Sequence, residues 1–277
     1  MMMVIFPVFF FVLGTIIGSF LNVVILRYNT GVTVAGRSRC FSCSKTLVWY
    51  ELIPLFSYLF LRGKCSSCKS KISIQYPLVE ALTAILFLGI YIKFAPLFIA
   101  NMAHFGVVFA VHALIFSFLV VILVYDMQHT IIPDGMVYSF IAVALAARIY
   151  FLVVEHFSMT SIWDALAGVF FFTFFFLLWF ISKGTWMGFG DAKLVLGIGL
   201  LLGLSGGLSA LFLAFWIGSV VGIVIMLFQN RAGKSGLLGI KKQITMKTEI
   251  PFAPFLILGL WLVVFFEINV FHLFLFS

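Results

Sequence analysis

The run FGVVFAVHALIFSFLVVILVY, residues 105–125, contains no Asp, Glu, Lys or Arg and leads directly into Asp126. A helix needs about 20 apolar residues to cross the roughly 30 Å of hydrocarbon in a bilayer. This run therefore predicts a transmembrane helix with an acidic side chain at its end. Seven more apolar runs lie on either side of it along the chain: 4–26, 76–94, 136–154, 163–182, 192–204, 207–228 and 252–276.

The overall composition agrees with that pattern. Of the 277 residues, 64% are hydrophobic and 9% are charged, whereas a soluble domain is about half apolar and about a quarter charged. These values exclude an ordinary soluble enzyme, a disordered chain and a basic nucleic-acid-binding domain. No alternating strand pattern is present, and lipid accepts only helices or closed barrels. The sequence predicts an all-α polytopic membrane protein with about eight transmembrane helices and no nucleic-acid partner.

The basic residues are distributed very unevenly about these spans. With eight spans, 15 of the 17 lysines and arginines lie on one side of the membrane. The positive-inside rule makes this side cytoplasmic and places both termini of this multi-pass protein outside. The same cations predict contact with anionic lipid head groups. They are Arg27, Arg37, Arg39, Lys45, Arg62, Lys64, Lys69, Lys71, Lys183, Lys193, Arg231, Lys234, Lys241, Lys242 and Lys247.

One long hydrophilic segment interrupts the apolar runs after the first span. It divides the chain into a first transmembrane helix at 1–26, a cytoplasmic loop domain at 27–75 and a membrane-embedded domain at 76–277. A module of about 50 residues is too small to build a sufficient hydrophobic core by itself. We therefore expect the loop domain to depend on an additional cross-link or ligand.

The four cysteines of the chain all lie in this loop. They form two C-x-x-C pairs, Cys40 with Cys43 and Cys65 with Cys68, with 21 residues between the pairs. Each pair can turn two sulfurs toward one point, and four thiolates bind Zn2+ as a tetrahedron. Disulfides are disfavoured in the cytoplasm. The spacing predicts a structural Zn2+ site, and the alternatives are four free thiols or, with inverted topology, two disulfides.

Two aspartates lie at the ends of predicted spans on the cytoplasmic side. Asp126 follows the run 105–125, and Asp191 precedes the run 192–204. Ionisable residues within a membrane are costly and by default mark function. Gly188 and Gly190 let the backbone before Asp191 leave helical geometry and approach an extended peptide. These features make both aspartates candidate catalytic residues.

Two such carboxylates could form the catalytic pair of an aspartic protease. At contact distance both cannot ionise, so the charged one can activate a water while the neutral one protonates or polarises a carbonyl. Asp191 is the expected base, because the dipole at a helix N-terminus favours the ionised form. An aspartate at a helix start is, however, commonly an N-cap. Spacing alone leaves the catalytic and structural interpretations open.

Other polar residues near these motifs are expected to be structural. Asp134, within Ile-Pro-Asp-Gly, fits an N-cap or a turn better than catalysis. His129 is expected in an interfacial loop, and Glu51 and Glu80 are expected to pair with loop cations.

The ordered set of motifs resembles the type IV prepilin peptidase family, the bacterial members of the GxGD-type intramembrane aspartyl proteases. The resemblance covers nearly the whole chain, and the set in this order is far more specific than any one motif. Three positions depart from the family pattern: Phe41, where proline is frequent, Phe189, often methionine, and Ala253, usually glycine. The motifs are GSFLNVV at 18–24, the two C-x-x-C pairs, WYELIP at 49–54, RGKC at 62–65, YPLVE at 76–80, Asp126 with IPD at 132–134, GFGDAKL at 188–194 and IPFAPFL at 250–256.

This resemblance implies a specific activity. Members cleave the short basic leader from prepilins and pilin-like pseudopilins at the cytoplasmic membrane face, and the two catalytic aspartates correspond to Asp126 and Asp191. Many members with the cysteine loop also N-methylate the new amino terminus with S-adenosylmethionine. The resemblance alone implies that second activity, and it assigns no residues to the methyl donor.

Three other classes of protein remain as alternatives. A transporter would use Asp126 and Asp191 as ion sites, but it needs neither the cysteine loop nor Gly-x-Gly-Asp, and the two halves show no repeated broken helices. A membrane-tethered zinc-binding module would not need eight spans. Another GxGD protease, acting on signal peptides or membrane stubs, would share the same chemistry.

Overall fold

The computed structural model describes residues 2–31, 33–154, 159–231 and 251–270. In these ranges the regular structure is helical, apart from two isolated antiparallel bridges in the loop. A short 3-10 turn, Trp49–Leu52, precedes the second helix. The helices are α1 (Met2–Arg27), α2 (Phe56–Phe60), α3 (Gln75–Ala100), α4 (Met102–His129), α5 (Asp134–Val154), α6 (Met159–Ser182), α7 (Phe189–Arg231) and α8 (Ala253–Phe266).

The predicted all-α membrane fold is confirmed. Six of the described helices are long and apolar enough to cross a bilayer, namely α1 and α3 to α7, and α8 is a shorter apolar helix. The count of eight spans stays a prediction. Of the predicted last span, 252–276, the described helix ends at Phe266, and residues 271–276 lie outside the described ranges.

A break in the helix lies at the end of the predicted sixth span, 192–204. Helix α7 runs for 43 residues but is interrupted at Gly203, whose φ of 73° and ψ of −169° are not helical. A positive φ is accessible to glycine because it has no Cβ. The backbone N–H of Leu204 donates to Oδ1 of Asp164 at 2.8 Å, so a side chain of α6 caps the second half of α7.

The chain divides into two compact units, Met1–Val121 and Ile122–Ser277. In the first unit, α1 packs along α3, and buried Asn22 donates from Nδ2 to the carbonyl of Tyr76 at 3.1 Å. The cysteine loop belongs to this unit. The predicted organisation into 1–26, 27–75 and 76–277 stays a prediction.

The second unit contains both candidate aspartates and is built around α7. Helices α5, α6 and α8 all pack against α7, and their contact is filled by large side chains such as Phe140, Phe171, Leu194 and Leu256, all nearly inaccessible to solvent. In lipid, helices associate through close packing because the surrounding tails are as apolar as the side chains. This packing fixes the N-terminal turn of α7, where Asp191 lies.

Candidate active site and metal centre

The two C-x-x-C pairs form similar turns in the loop. The N–H of Ser44 donates to the carbonyl of Cys40 at 2.9 Å, and the N–H of Lys69 donates to that of Cys65 at 3.1 Å. Ser44 and Lys69 both have positive φ, 57° and 58°. Isolated bridges, Arg39 with Thr46 and Lys64 with Lys71, close the two turns at the same relative positions. The turns therefore bring all four sulfurs to one place.

The four sulfurs have the geometry of a metal site. The Sγ atoms of Cys40, Cys43, Cys65 and Cys68 all lie within 4.8 Å of one another, and all four cysteines are free. Cys40 and Cys68 have their Sγ atoms 3.8 Å apart. Tetrahedral Zn2+ with bonds of about 2.3 Å separates its sulfurs by about 3.8 Å. This cluster could hold a metal ion, and its donor set fits Zn2+.

The thiols differ in acidity. The backbone N–H of Cys43, followed by that of Ser42, lowers the pKa of the Cys40 thiol to about 6. At Cys43 the backbone N–H of Lys45 lowers the pKa of the thiol, whereas the side chain of Cys40 raises it. The net result is a pKa raised to about 11. The turn thus stabilises a thiolate at Cys40, the form in which cysteine binds metal.

Glu51 links the two turns, a role that sequence reasoning missed. Its Oε1 accepts from Lys45 Nζ at 2.9 Å and from the hydroxyl of Ser66, and its Oε2 accepts from the N–H of Val48 at 3.0 Å. The Ser66 hydroxyl, then the Val48 N–H and Lys45, lower the pKa of Glu51 to about 2. The expected pairing of Glu51 with a loop cation is confirmed. Its position between the C-x-x-C pairs was the signal that could have identified the link.

Glu80 does not follow the same expectation. Its buried carboxylate accepts from the backbone N–H of Leu55 at 2.8 Å and faces the side chain of Ser19, and among the described residues it forms no ion pair with a loop cation. The backbone N–H of Leu55, at a tight turn, is therefore the donor to Glu80, where the sequence pattern predicted a lysine or an arginine.

Asp126 lies in the last turn of α4. It is buried, and its Oδ2 has no hydrogen-bond partner among the described residues. The backbone N–H of Ala253, at the start of α8, faces the carboxylate. The Asp126 carbonyl accepts from the N–H of Thr130 at 2.8 Å, which ends the helix. The helix end therefore places a carboxylate with an unused acceptor inside the second unit.

Asp191 lies in the first turn of α7 and is also buried. Its N–H donates to the carbonyl of Gly188 at 3.2 Å. The carboxylates of Asp191 and Asp126 are close enough to interact electrostatically. The second unit thus brings together the two aspartates that the sequence singled out.

Gly190 makes this arrangement possible by allowing close approach. A Cβ at this position would lie 2.8 Å from Cβ of Ile132 and 3.1 Å from its Cδ1. A side chain would therefore push apart the segment before α5 and the start of α7. The glycine motif serves close packing beside Asp191 in this structure.

Asp134 and Lys193 hold the same two elements together. Asp134 is in the first turn of α5, and its Oδ1 accepts from Lys193 Nζ at 2.6 Å. The Lys193 ammonium also lies 5.0 Å from the ring centre of Tyr138 and 4.8 Å from that of Phe189. The expected structural role of Asp134 agrees with this pairing. Lys193 is engaged within the protein.

His129 is the last residue of α4. Its ring stacks on Tyr125 with centroids 4.3 Å apart, and its Nδ1 lies 3.2 Å from the carbonyl of Tyr125. The side chain is exposed, as expected for an interfacial histidine.

Comparison with known proteins yields matches along most of the chain. One family model, described as "Bacterial Peptidase A24 N-terminal domain", matches residues 12–94. A second, described as "Type IV leader peptidase family", matches residues 113–223. No solved structure matches this chain.

Several curated relatives are named "Prepilin leader peptidase/N-methyltransferase". The chain is 37% identical over 236 residues to the protein of Myxococcus xanthus, a match that covers 82% of this chain and 65% of that relative. It is 31% identical over 287 residues to the Pseudomonas aeruginosa protein, covering 90% of this chain and 87% of the relative. It is 32% identical over 250 residues to the Bacillus subtilis protein, covering 90% of each.

Proposed function

This chain belongs to the type IV leader peptidase family, and we propose that it is a membrane-embedded aspartic endopeptidase. Its substrates are type IV prepilins and pseudopilins, from which it removes the leader peptide. The observation that carries this proposal is that two buried aspartates, Asp126 and Asp191, are close enough to interact electrostatically within one compact unit of a multi-pass membrane protein.

Asp126 and Asp191 are the proposed catalytic residues. One carboxylate takes a proton from water, which attacks the scissile carbonyl, while the other is protonated and polarises that carbonyl. The carbon–nitrogen bond then breaks, the new carboxyl group keeps the water oxygen, and the departing amine takes up the proton. Asp191 is assigned as the base because it lies in the first turn of α7, where the helix dipole favours a negative charge.

The same chain N-methylates the new amino terminus of the cleaved substrate. S-adenosylmethionine supplies the methyl group when it is bound. Two hollows beside the loop are lined mainly by apolar side chains, and their polar side chains include Ser19, Ser38, Tyr50, Glu51 and Ser57. We therefore assign no residue to the methyl donor.

We assign a structural role to the metal site. Cys40, Cys43, Cys65 and Cys68 bind one Zn2+ through four thiolates, supported by the spacing of their sulfurs. With four protein ligands such a site has no open position for substrate. Zinc therefore stabilises the loop domain and leaves the proteolytic chemistry to the aspartates.

The active site and the cysteine loop are placed at the cytoplasmic face of a bacterial inner membrane. The distribution of basic residues supports this orientation, because they concentrate in the segments that carry the loop and the GFGD motif. Exposed cations of these segments, such as Arg37 and Arg39, contact anionic lipid head groups.

One assay tests both activities. Purified protein in lipid nanodiscs is incubated with a prepilin-like substrate and S-adenosylmethionine, and the products are identified by mass spectrometry. We expect loss of the leader, followed by the gain of one methyl group at the new amino terminus. Cleavage of unrelated signal peptides with no cleavage of prepilin would assign the chain to a different GxGD activity, and no cleavage of either would contradict the proposal.

A further inference from the structure

The loop domain exposes a group of large apolar side chains, which we call the aromatic surface. It consists of Trp49, Leu52, Ile53, Phe56 and Phe60. Trp49 is 77% exposed and Phe60 is 82% exposed. A patch of this kind on a hydrophilic domain marks an interaction site. The proteolytic chemistry proposed above makes no use of it.

The aromatic surface is continuous with the lipid-facing side of α1. A groove of about 430 Å³ is lined by Ile16 and Phe20 of α1 and by Trp49, Leu52 and Ile53 of the loop. Ile16 and Phe20 are each 53% exposed on a helix long and apolar enough to span a bilayer. The loop therefore extends the apolar surface that α1 presents to lipid.

A second hollow enlarges this surface on the side of α2. It measures about 250 Å³, and its lining includes Tyr50, Ile53, Phe56 and Phe60. Ile53 lines both hollows. The two apolar hollows are thus neighbours on one surface.

The position of the groove along α1 places it at membrane depth. Helix α1 has 26 residues, which is about 39 Å at about 1.5 Å per residue, or about 9 Å more than a hydrocarbon core of about 30 Å. Ile16 lies 11 residues before Arg27, the end of the helix on the loop side, a rise of about 16 Å. Even if all of the extra helix length of about 9 Å extends beyond the hydrocarbon on the loop side, Ile16 still lies about 7 Å inside the hydrocarbon.

Glu80 of α3 fixes the loop in this position. Its Oε2 accepts from the N–H of Leu55 at 2.8 Å. Leu55 has a φ of 61°, and the N–H of Phe56 bonds back to the carbonyl of Pro54 at 2.7 Å. A three-residue turn of this hand is strained and persists only when its surroundings hold it. The buried carboxylate therefore attaches the segment that carries the aromatic surface to a membrane-spanning helix.

The charge of the loop favours lipid as the occupant. Residues 27–75 include eight basic residues and a single acidic one, Glu51, whose carboxylate is bound by Lys45. Anionic head groups complement such a surface, whereas a basic peptide would be repelled. Tryptophan and tyrosine are also enriched at the level of the head groups.

We propose that the aromatic surface is seated in the bilayer, in the head-group and upper acyl region that surrounds the loop-side half of α1. The cysteine loop is then a domain bound along the membrane. This inference depends on the membrane-spanning fold and not on the proposed catalytic function.

Quenching of tryptophan fluorescence tests the proposal. The full chain is reconstituted in vesicles of phosphatidylcholine and phosphatidylglycerol, with or without bromine near the head-group end of the acyl chains. The Trp49 signal is the difference between the wild-type protein and Trp49→Phe. We expect brominated lipid to quench about half or more of this signal, because the indole lies at the interface. Trp261→Phe is the matched control, since Trp261 is only 6% exposed and its difference signal should be quenched much less.

Two further measurements can contradict the proposal: quenching of the Trp49 signal by iodide, and a shift of the Trp49 emission on addition of a candidate ligand. If the Trp49 signal is unaffected by brominated lipid but quenched by iodide in the water, the aromatic surface lies in solvent and the proposal is wrong. If bromine quenching is absent and a prepilin-like peptide or S-adenosylmethionine shifts the Trp49 emission, the surface binds that ligand and the proposal is equally wrong. Loss of cleavage activity in the proteolytic assay would leave the lipid result unchanged, so the two proposals fail separately.

Discussion

Asp126 and Asp191 reach their site from helix ends of opposite polarity. Asp126 lies in the last turn of α4, and Asp191 lies in the first turn of α7. The partial positive charge at a helix N-terminus stabilises an anion, and the C-terminus does not. Two chemically identical side chains therefore differ in environment, which a proton-sharing catalytic pair requires.

Replacing either aspartate by asparagine should abolish cleavage, because an amide can neither take up nor supply the proton. We expect Asp126→Asn and Asp191→Asn to reduce kcat/KM by about a thousandfold or more, as loss of acid–base catalysis in a coupled pair implies. Cleavage of a prepilin-like substrate by each purified variant is the measurement.

Asp134→Asn is the matched control for these variants. Asp134 is largely exposed and pairs with Lys193, so its asparagine variant should keep substantial activity. Full turnover by Asp126→Asn protein would remove this residue from the catalytic pair.

Gly190→Ala should reduce cleavage by about tenfold, since overpacking of this kind costs about 1–3 kcal/mol. The added Cβ would lie 2.8 Å from Cβ of Ile132, and relieving that contact moves the N-terminal turn of α7 that carries Asp191. Ile132→Ala in the same protein removes two of the three closest atoms and should partly restore activity. Gly106→Ala, where nothing lies within 4 Å of a new Cβ, should leave activity unchanged.

Glu51→Gln should loosen the cysteine loop. Hydrogen bonds to a charged group are worth about 1.5–3 kcal/mol, so limited proteolysis of the loop should become about tenfold faster at pH 7. The Glu51 carboxylate has a lowered pKa, so its stabilisation is present above the ordinary value of 4.5 and is lost as pH falls through about 2.

The pH dependence provides the check. The difference in proteolysis rate between the wild-type and Glu51→Gln proteins should be constant above pH 4.5 and should shrink toward pH 2. A difference that grows on acidification would contradict the role given to Glu51.

At the scale of elements, the two C-x-x-C turns behave as a repeated unit. Each turn supplies two sulfurs and a residue with positive φ after the second cysteine, Ser44 in one and Lys69 in the other. Neither turn is attached to the other by a β-ladder in the described part of the chain. Glu51 therefore cross-links the two turns, and the proposed Zn2+ would add a second cross-link.

Purified protein should carry about one Zn2+ per chain, as a single tetrathiolate site requires. Replacing Cys65, the most deeply buried of the four cysteines, by serine should lose the metal and expose the loop to protease. Elemental analysis of protein purified without a chelator measures the metal, and Ser67→Ala, within the same turn, is the control. Protein that contains neither zinc nor iron would exclude the tetrathiolate site.

At the scale of the whole molecule, the chain distributes its chemistry between two compact units. The cysteine loop is in Met1–Val121, and both aspartates are in Ile122–Ser277. A structural metal stabilises only the fold that depends on it. Damage to the loop should therefore affect functions of the first unit more than the aspartate chemistry of the second.

Cys43→Ser should reduce methyl transfer more than it reduces cleavage. The comparison protein is Asp191→Ala supplied with substrate that has already been cleaved, which should still be methylated. Leader loss and methyl gain are followed by mass spectrometry in the same reaction. If Cys43→Ser lost all cleavage but methylated the cleaved substrate normally, the loop would serve cleavage and not methyl transfer.

The sequence by itself determined the all-α membrane fold and the meeting of the four cysteines. Apolar runs of about 20 residues can only be membrane helices, because lipid leaves backbone groups no other way to bond. The C-x-x-C spacing predicted that Cys40, Cys43, Cys65 and Cys68 meet, since a turn of that length brings its two sulfurs together. These inferences depend on local periodicity and spacing, which can be read directly from the sequence.

Only the tertiary structure decided how distant residues meet. It places Asp126 and Asp191 close enough to interact electrostatically, gives Glu51 its three donors and gives the Glu80 carboxylate the N–H of Leu55. It also places the break between two predicted spans at Gly203, where Asp164 of α6 caps the helical segment that follows. Contacts between residues far apart in sequence depend on which helix faces pack together, and in an all-apolar helix no periodic pattern identifies that face.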